Sequence, residues 1–230
     1  MKEEFSRSER LIGAEALERL KQSRVAVFGV GGVGGYVVEA LARSGVGTLD
    51  LIDSDEVAPS NINRQLIALH STLGEKKVEV ARRRVLDINP SAIVNAHAIF
   101  YLPETAHLFD FSRYDYVVDA IDTVSGKLEL VKRAKEAGVP IICSMGAGGK
   151  LDPCRFEVTD IYKTSVCPLA KVMRSLCRKN GIDSLKVVYS REETRSLPSS
   201  ERTPASMIFA PAAAGLATAA EVVRDLAKLQ

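Results

Sequence analysis

The chain has 230 residues, of which 46% are hydrophobic and 26% charged, and its formal net charge is +2. This composition is that of a globular protein with room for a full hydrophobic core, and the small net charge argues against gross polycationic binding. Residues 1–10 lack the apolar core of a signal peptide, and the longest uncharged stretch, 205–220, is too short to span a membrane. We therefore expect a cytoplasmic protein with no membrane span, whose four cysteines are reduced.

In chain order, a helical pattern at 8–22 comes before the first of five apolar runs that predict strands. These runs lie at 25–28, 49–52, 93–98, 116–120 and 139–143. Helical patterns separate most of them, at 33–43, 76–87 and 124–137. The alternation predicts an α/β fold, a Rossmann-like doubly wound sheet that is mostly parallel.

Beyond Ser144 the pattern changes to a C-terminal α+β elaboration. Short strands are predicted at 155–160, where we expect an antiparallel direction, and at 185–189. Helices are predicted at 168–179 and 212–229, and a mobile loop at 192–204. We expect one domain over 1–230, in which 1–145 is the nucleotide-binding core and 146–230 is the substrate-facing part.

The turn after the first strand carries glycines at G-x-G-x-x-G spacing. Such glycines permit a tight strand-to-helix turn and let phosphates approach the bare backbone, while the following helix start favours anions. Asp53, 19 residues beyond the last glycine, ends the second strand, where a carboxylate can bind a ribose hydroxyl. An NAD-binding dehydrogenase fits this segment equally well. The glycines are Gly29, Gly31, Gly32 and Gly34.

Three later segments favour adenylation over hydride transfer. They are DEVAPSNINRQ at 55–65, GEKKVEVARRR at 74–84 and VVDAIDTVSGK at 117–127. Arg64 and Lys77 are expected to cover phosphates, and Asp122, at the carboxyl end of a strand beside the crevice, to hold Mg²⁺. Each has a plainer alternative: Arg64 pairs with Asp55, Lys77 is a surface lysine, or Asp122 caps the next helix.

Together these segments resemble the adenylating enzymes of the ThiF/MoeB/HesA superfamily, relatives of ubiquitin-activating enzyme. The resemblance implies an adenylation fold that uses ATP and Mg²⁺, with a monovalent cation as a further option. It also implies a homodimer in which Arg10 reaches into the neighbouring subunit's ATP site. The catalytic candidates are Arg10, Arg64, Lys77 and Asp122. The nucleotide-binding candidates are Gly29, Gly31, Gly32, Gly34, Asp53, Asp55, Asn61, Arg64 and Lys77.

Within the superfamily, SMGAGGKLDP, CPLAKVMRSLCRKNGI and KVVYS resemble the tRNA threonylcarbamoyladenosine dehydratases, the TcdA or CsdL family. The implied substrate is tRNA carrying threonylcarbamoyladenosine at position 37. The carboxylate of its threonyl group is activated with ATP, and the substituent then closes on itself to form a ring. Bacterial members that activate carrier proteins have paired C-x-x-C motifs for zinc, and this chain has none, so no zinc is expected. The compact 196–206 segment, where some members carry a cysteine-bearing insertion, argues against a sulfur-transfer protein partner.

Two other functions stay open at the level of sequence. One is an adenylyltransferase for the C-terminal carboxylate of a ubiquitin-like sulfur carrier, and the other is a non-catalytic module that binds a nucleotide or NAD. Uneven charge also predicts a tRNA surface on the 168–179 helix, although a solvated helix face explains the charges equally well. The cations concerned are Lys171, Arg174, Arg178 and Lys179, with Lys186 close behind, and 82–84 is the alternative surface.

Overall fold

A seven-stranded sheet forms the centre of the protein, for which a computed structural model describes residues 3–195 and 205–229. The strand order is β3-β2-β1-β4-β5-β7-β6, and every pairing is parallel except that of β6 with β7. The predicted doubly wound α/β fold is therefore confirmed. The strands are β1 (Arg24–Phe28), β2 (Thr48–Ile52), β3 (Ile93–His97), β4 (Tyr116–Asp119), β5 (Ile141–Ser144), β6 (Phe156–Asp160) and β7 (Lys186–Ser190).

Helices cover both faces of this sheet and bury a separate apolar cluster on each. One cluster packs α2, α3, α4 and α7 on the sheet, and the other packs α5, α6 and the aromatic residues of 101–114. Side chains alternate along each strand, so Val25 and Val27 face the first cluster and Ala26 faces the second. The helices are α1 (Ser6–Ile12), α2 (Ala14–Gln22), α3 (Gly34–Arg43), α4 (Lys77–Ile88), α5 (Val124–Glu136), α6 (Pro168–Lys179) and α7 (Phe209–Ala227).

Two predicted helices differ from the structure by more than one residue, for local reasons. The single helix expected at 8–22 is divided at Gly13, whose φ of +86° lies in the region that favours glycine. The last helix begins at Phe209 rather than 212, because Pro211 falls in its first turn, where a missing N–H costs no helical hydrogen bond. Of the loop predicted at 192–204, residues 196–204 lie outside the described part of the chain. No helix among the described residues is long and apolar enough to cross a membrane.

The glycine turn between β1 and α3 is held by close backbone contacts. Gly29 has a φ of +89°, and a Cβ there would lie 2.7 Å from the carbonyl oxygen of Ala120. At Gly34 a Cβ would lie only 1.7 Å from the Gly29 carbonyl oxygen. The first residue of α3 therefore touches the turn that precedes it. Only glycine allows both contacts.

The adjacent position provides a matched test of this packing. Gly34→Ala is expected to lower the free energy of unfolding by at least about 3 kcal/mol, because backbone must move to admit the methyl group. Gly35→Ala, whose added methyl group would meet nothing closer than Leu66 Cβ at 3.9 Å, should change stability by no more than about 1 kcal/mol. Urea unfolding of both variants checks this. Equal effects at the two positions would contradict the packing argument.

Candidate functional site

A cleft of about 580 Å³ opens at the carboxyl ends of β1, β2, β4 and β5. It lies where the strand order reverses, since β1 leads outward to β2 and β3 while β4 starts on the other side of β1. Ligands of doubly wound sheets bind in such a crevice. The predicted residues that line it are Gly29, Gly31, Gly32, Asp53, Asp55, Asn61, Arg64, Lys77 and Asp122.

Asp53 joins the end of β2 to the glycine turn. Its Oδ2 accepts a hydrogen bond from the Val30 amide at 2.7 Å, and its Oδ1 accepts one from the Asp55 amide at 2.9 Å. A carboxylate has about four acceptor sites, so hydroxyl donors of a ligand still have sites on Asp53. Asp53 thus holds the backbone of the glycine turn and also lines the cleft.

The cations of the cleft are placed by short local contacts. The side chain of Lys77 is only 6% exposed, and its Nζ lies 2.8 Å from Asp55 Oδ2 at the cleft wall. The surface-lysine alternative for Lys77 is therefore wrong. Arg64 Nη1 donates to the Ser60 carbonyl at 2.8 Å and to Asn63 Oδ1 at 2.9 Å, so its expected alternative pairing with Asp55 is also wrong.

The segment that begins with the 3₁₀ turn at Pro59–Asn61 contains a buried acceptor without a partner among the described residues. Asn61 closes the turn by accepting from the Ala58 amide at 3.1 Å. Gln65, four residues later, lines the cleft and is 8% exposed, and its buried Oε1 has no hydrogen-bond partner among the described residues. A buried acceptor without a partner is costly, so this atom indicates that the cleft is shaped for a polar ligand. Gln65 is the last residue of the 55–65 segment, but the sequence analysis gave it no role in the site.

Asp122 carries an exposed carboxylate with little to hold it. Its nearest side-chain contact is Thr123 Oγ1, at 3.4 Å, and Thr123 rather than Asp122 occupies the N-cap of α5. The helix-cap alternative for Asp122 is therefore wrong. The described residues contain no group of three or more His, Cys, Asp or Glu side chains placed to hold a metal ion. A Mg²⁺ ion would thus have Asp122 and ligand or water oxygens, which is the usual provision in phosphate-binding sites.

Two predicted residues lie away from the cleft lining. Gly34 packs against the glycine turn, and the contact explains its lack of a side chain without any ligand. Arg10 is exposed on α1, which packs on α2. Neither residue is among those that line the cleft.

An ion pair beneath the cleft was missed by the sequence analysis. Lys127 on α5 and Asp119 at the end of β4 are both fully buried, and Lys127 Nζ lies 2.9 Å from Asp119 Oδ1. Lys127 shares one helix face with Leu130, Val131 and Ala134, all of them buried. A lysine on the apolar i, i+3, i+4, i+7 face was the signal that could have revealed it.

The cations proposed for tRNA do not form one free surface. Arg174 donates to the carbonyl and hydroxyl oxygens of Thr164, and the Arg178 guanidinium lies over the Tyr162 ring at 5.2 Å. Lys186 pairs with acids of α7, which covers the opposite face of the sheet from α6. Grouping Lys186 with the α6 cations was therefore wrong, because the first residue of β7 points to the other face.

Burial governs the chemistry of Cys143, which precedes the cleft-lining Ser144 in the chain. Cys143 on β5 is completely buried, and burial raises the pKa of its thiol well above its usual value, with the nearby Asp119 carboxylate adding to the rise. Because a thiolate is the reactive form, Cys143 is unsuited to act as a nucleophile.

Comparison with known proteins agrees with this geometry. The sequence model of the ThiF family matches residues 5–229. The chain belongs to the ThiF family. A family member from Bacillus subtilis, named tRNA threonylcarbamoyladenosine dehydratase, is 45% identical over 244 residues, which cover 99% of the chain and 96% of the relative. One of the same name from Haemophilus influenzae is 45% identical over 171 residues, covering 74% of the chain and 66% of the relative.

Solved structures extend the comparison. Escherichia coli tRNA N6-threonylcarbamoyladenosine dehydratase, TcdA, in complex with AMP has a TM-score of 0.92 at 32% identity, covering 98% of this chain and 94% of that one. Its complex with ATP has a TM-score of 0.91. Escherichia coli MccB, at 21% identity and a TM-score of 0.70, shares the fold alone. The resemblance to the dehydratase family is confirmed.

Two carboxylates of the cleft should separate a structural role from a functional one. Asp53→Asn is expected to lower the free energy of unfolding by about 1–3 kcal/mol, because the amide NH2 group that replaces one carboxylate oxygen cannot accept from the backbone donor there. Asp122→Asn, which disturbs only a long contact, should stay within about 0.5 kcal/mol of the parent protein. Urea denaturation measures both. A stability loss at Asp122 as large as that at Asp53 would contradict this assignment.

Proposed function

We propose that this protein uses ATP to dehydrate threonylcarbamoyladenosine at position 37 of tRNA, through adenylation of the threonyl carboxylate. The observation that carries the proposal is the cleft itself, in which Arg64, Lys77 and Asp122 surround a glycine turn. A relative named as this dehydratase is 45% identical to the chain, in an alignment that covers 99% of it. This similarity supports the same reaction for the chain.

The residues of the cleft can promote adenylation by position and charge. The glycine turn admits the adenosine and α-phosphate region, and Asp53 faces the ribose. Lys77 and Arg64 offset the negative charge that shifts to the departing pyrophosphate. The threonyl carboxylate oxygen attacks the α-phosphorus and the bond to the β-phosphate breaks. An atom of the same substituent then attacks the acyl carbon and AMP leaves, so that no enzyme thiol is required.

The proposal assigns Mg²⁺ to Asp122. When bound, the ion would neutralise phosphate charge in the cleft. The chain's own contribution is an exposed carboxylate at the mouth of the nucleotide crevice, without a strong competing contact. Zinc has no place in the proposal because the chain lacks C-x-x-C pairs.

A homodimer with shared sites is part of the proposal. Arg10 is exposed, and its neighbour Leu11 is 85% exposed. Phe209 and Leu216 on α7 are each 51% exposed. These apolar side chains support a self-association surface, and Arg10 would then extend into the partner's cleft.

We place the protein in the cytoplasm, where its four free cysteines would stay reduced. The proposal includes no sulfur-transfer partner.

The decisive experiment follows pyrophosphate release from ATP. Release is expected with tRNA carrying threonylcarbamoyladenosine, and nucleoside mass spectrometry should show the product lighter by one water. The control is the same tRNA without the modification. Release that depends on a ubiquitin-like carrier protein would instead select the adenylyltransferase. Stabilisation by NAD and none by ATP would select the binding module, since bound ligand raises stability by mass action.

A neighbouring pair of lysines provides the matched variants for this assay. Lys77→Met should lower turnover by about 30- to 1000-fold, because a buried charge contact to the phosphates is worth about 2–4 kcal/mol in the transition state. Lys76→Met removes a half-exposed side chain that pairs with Glu56, and it should leave turnover unchanged. Equal activity in the two folded variants would exclude Lys77 from the chemistry.

Mixed dimers test whether Arg10 acts in the partner's site. Arg10→Ala and Asp122→Ala should each be inactive alone. After subunit exchange, each mixed dimer would contain one intact site, so random mixing should restore about a quarter of the parent activity. Mass spectrometry of differently tagged subunits verifies the exchange. Verified mixed dimers that stay inactive would rule out the role in trans.

A further inference from the structure

The buried ion pair between Asp119 and Lys127 joins the two strands whose ends form the cleft floor. Lys127 Nζ lies 2.9 Å and 3.0 Å from the two carboxylate oxygens of Asp119, and its third hydrogen bond goes to the Ser144 carbonyl at 2.8 Å. An ammonium group has three donors, so every donor is used. Both side chains are 0% exposed, so the pair itself does not contact solvent or a cleft ligand.

The partners of Lys127 stand directly before the segments that face the ligand. Asp119 ends β4, and the next residues, including Asp122, line the cleft. Ser144 ends β5, and it is followed by Met145 and Gly146, which line the same cleft and face the substrate in the proposed reaction. One ammonium group therefore fixes the distance between the phosphate-facing loop and the substrate-facing loop.

Asp119 extends this control into the phosphate-facing loop. Its Oδ1 also accepts from the Ile121 amide at 3.3 Å, one residue before Asp122. A carboxylate held by two bonds from an ammonium cannot rotate freely, so the Ile121 amide is held with it. The direction in which the Asp122 carboxylate leaves the loop depends on this contact.

Stability alone gives a weak reason for charges at this place. Desolvation of two buried ions offsets most of their attraction, and apolar replacements of a buried pair are often as stable or more stable. Elsewhere in the chain, charged side chains such as Glu39 and Arg84 pair at positions that keep contact with solvent. A fully buried pair between the two cleft-forming strands thus points to a requirement for geometry.

We propose that Lys127 is a positioning residue for the adenylation step, which sets the Asp122 loop against the substrate-facing loop through Asp119 and the Ser144 carbonyl. This inference rests on the proposed function. It predicts loss of chemistry with ATP binding retained, because two contacts outside the Asp119 loop also hold the glycine turn: the Val30 amide on Asp53 and the packing of Gly34 on the Gly29 carbonyl.

The test removes both charges together, so that no buried ion is left without a partner. In Asp119→Ala with Lys127→Met, methionine keeps the length of the lysine side chain and the site stays apolar. Turnover at saturating ATP is expected to fall about 100-fold, the effect of a misplacement of about 1 Å. The KM for ATP should change less than about 3-fold, and ATP should still raise the melting temperature. Lys127→Arg, which keeps a cation on Asp119, should recover turnover to within about 10-fold of the parent.

A second readout needs no turnover. Amide hydrogen exchange over residues 120–123 is expected to become faster in the double variant without ATP, because the Ile121 amide loses its acceptor. The matched control is Tyr116→Phe, which removes a 2.6 Å hydrogen bond to Asp225 from the same strand on the opposite face. Neither turnover nor exchange at 120–123 should change in that control. Should the double variant not fold, Asp119→Asn replaces it, with the same expected fall in turnover and the same limit on the KM for ATP.

The outcomes separate this inference from the proposed function. A parent protein that is inert with modified tRNA refutes the proposed function. An active parent with a folded double variant of equal turnover refutes only the positioning role. A KM for ATP that rises as far as turnover falls would also overturn it, because the pair would then act on ATP binding.

Discussion

The close backbone contact at the glycine turn is the constraint on which the cleft depends. α3 begins so near the end of β1 that the first residue of the helix touches the Gly29 carbonyl, and Gly29 in turn lies against the Ala120 carbonyl after β4. The backbone of three elements therefore meets at the reversal point of the sheet. Because no side chain fits there, this part of the crevice is open to a ligand and presents backbone to it.

Charge in the cleft is arranged around this backbone in two layers. The inner layer is fully buried and neutral overall, in the Asp119 and Lys127 pair. The outer layer faces the ligand, where Lys77 is held by Asp55 and Arg64 by polar groups of its own turn. Asp55 offsets the charge of Lys77, whereas the Arg64 guanidinium contacts only uncharged oxygens and keeps its charge for a phosphate.

The sequence predicted most of the sheet because its strands are continuous apolar runs, the pattern of strands buried on both faces. The predicted bounds of β1 and β2 each miss one residue, and α6 was predicted with both ends correct. The candidate residues of the cleft were found because they follow strand ends. The break at Gly13 was missed because the helical pattern continues across it, and a single glycine is tolerated in helices.

Other features could not be predicted from local patterns. The side of the sheet that Lys186 faces depends on which helix covers β7, and that helix comes more than 20 residues later in the chain. The role of Lys127 depends on Asp119 and Ser144, which lie on different strands and are 8 and 17 residues away from it in sequence. The periodicity of the sequence also carries no information on sharing of sites between subunits. Arg10, the residue concerned, lies outside the cleft lining of its own subunit.

The last helix has a consequence for the time at which the cleft is completed. Pro211 lines the cleft beside Gly32, and Gly215 packs on the Val33 carbonyl, so α7 closes a site that the glycine turn opens. The far end of α7 is fixed to the start of the chain, where Arg19 donates to the Ala227 carbonyl at 2.6 Å. During synthesis the nucleotide-binding segments leave the ribosome long before this wall exists. The nascent chain therefore stays without its finished cleft until α7 has been synthesised and has packed on the sheet.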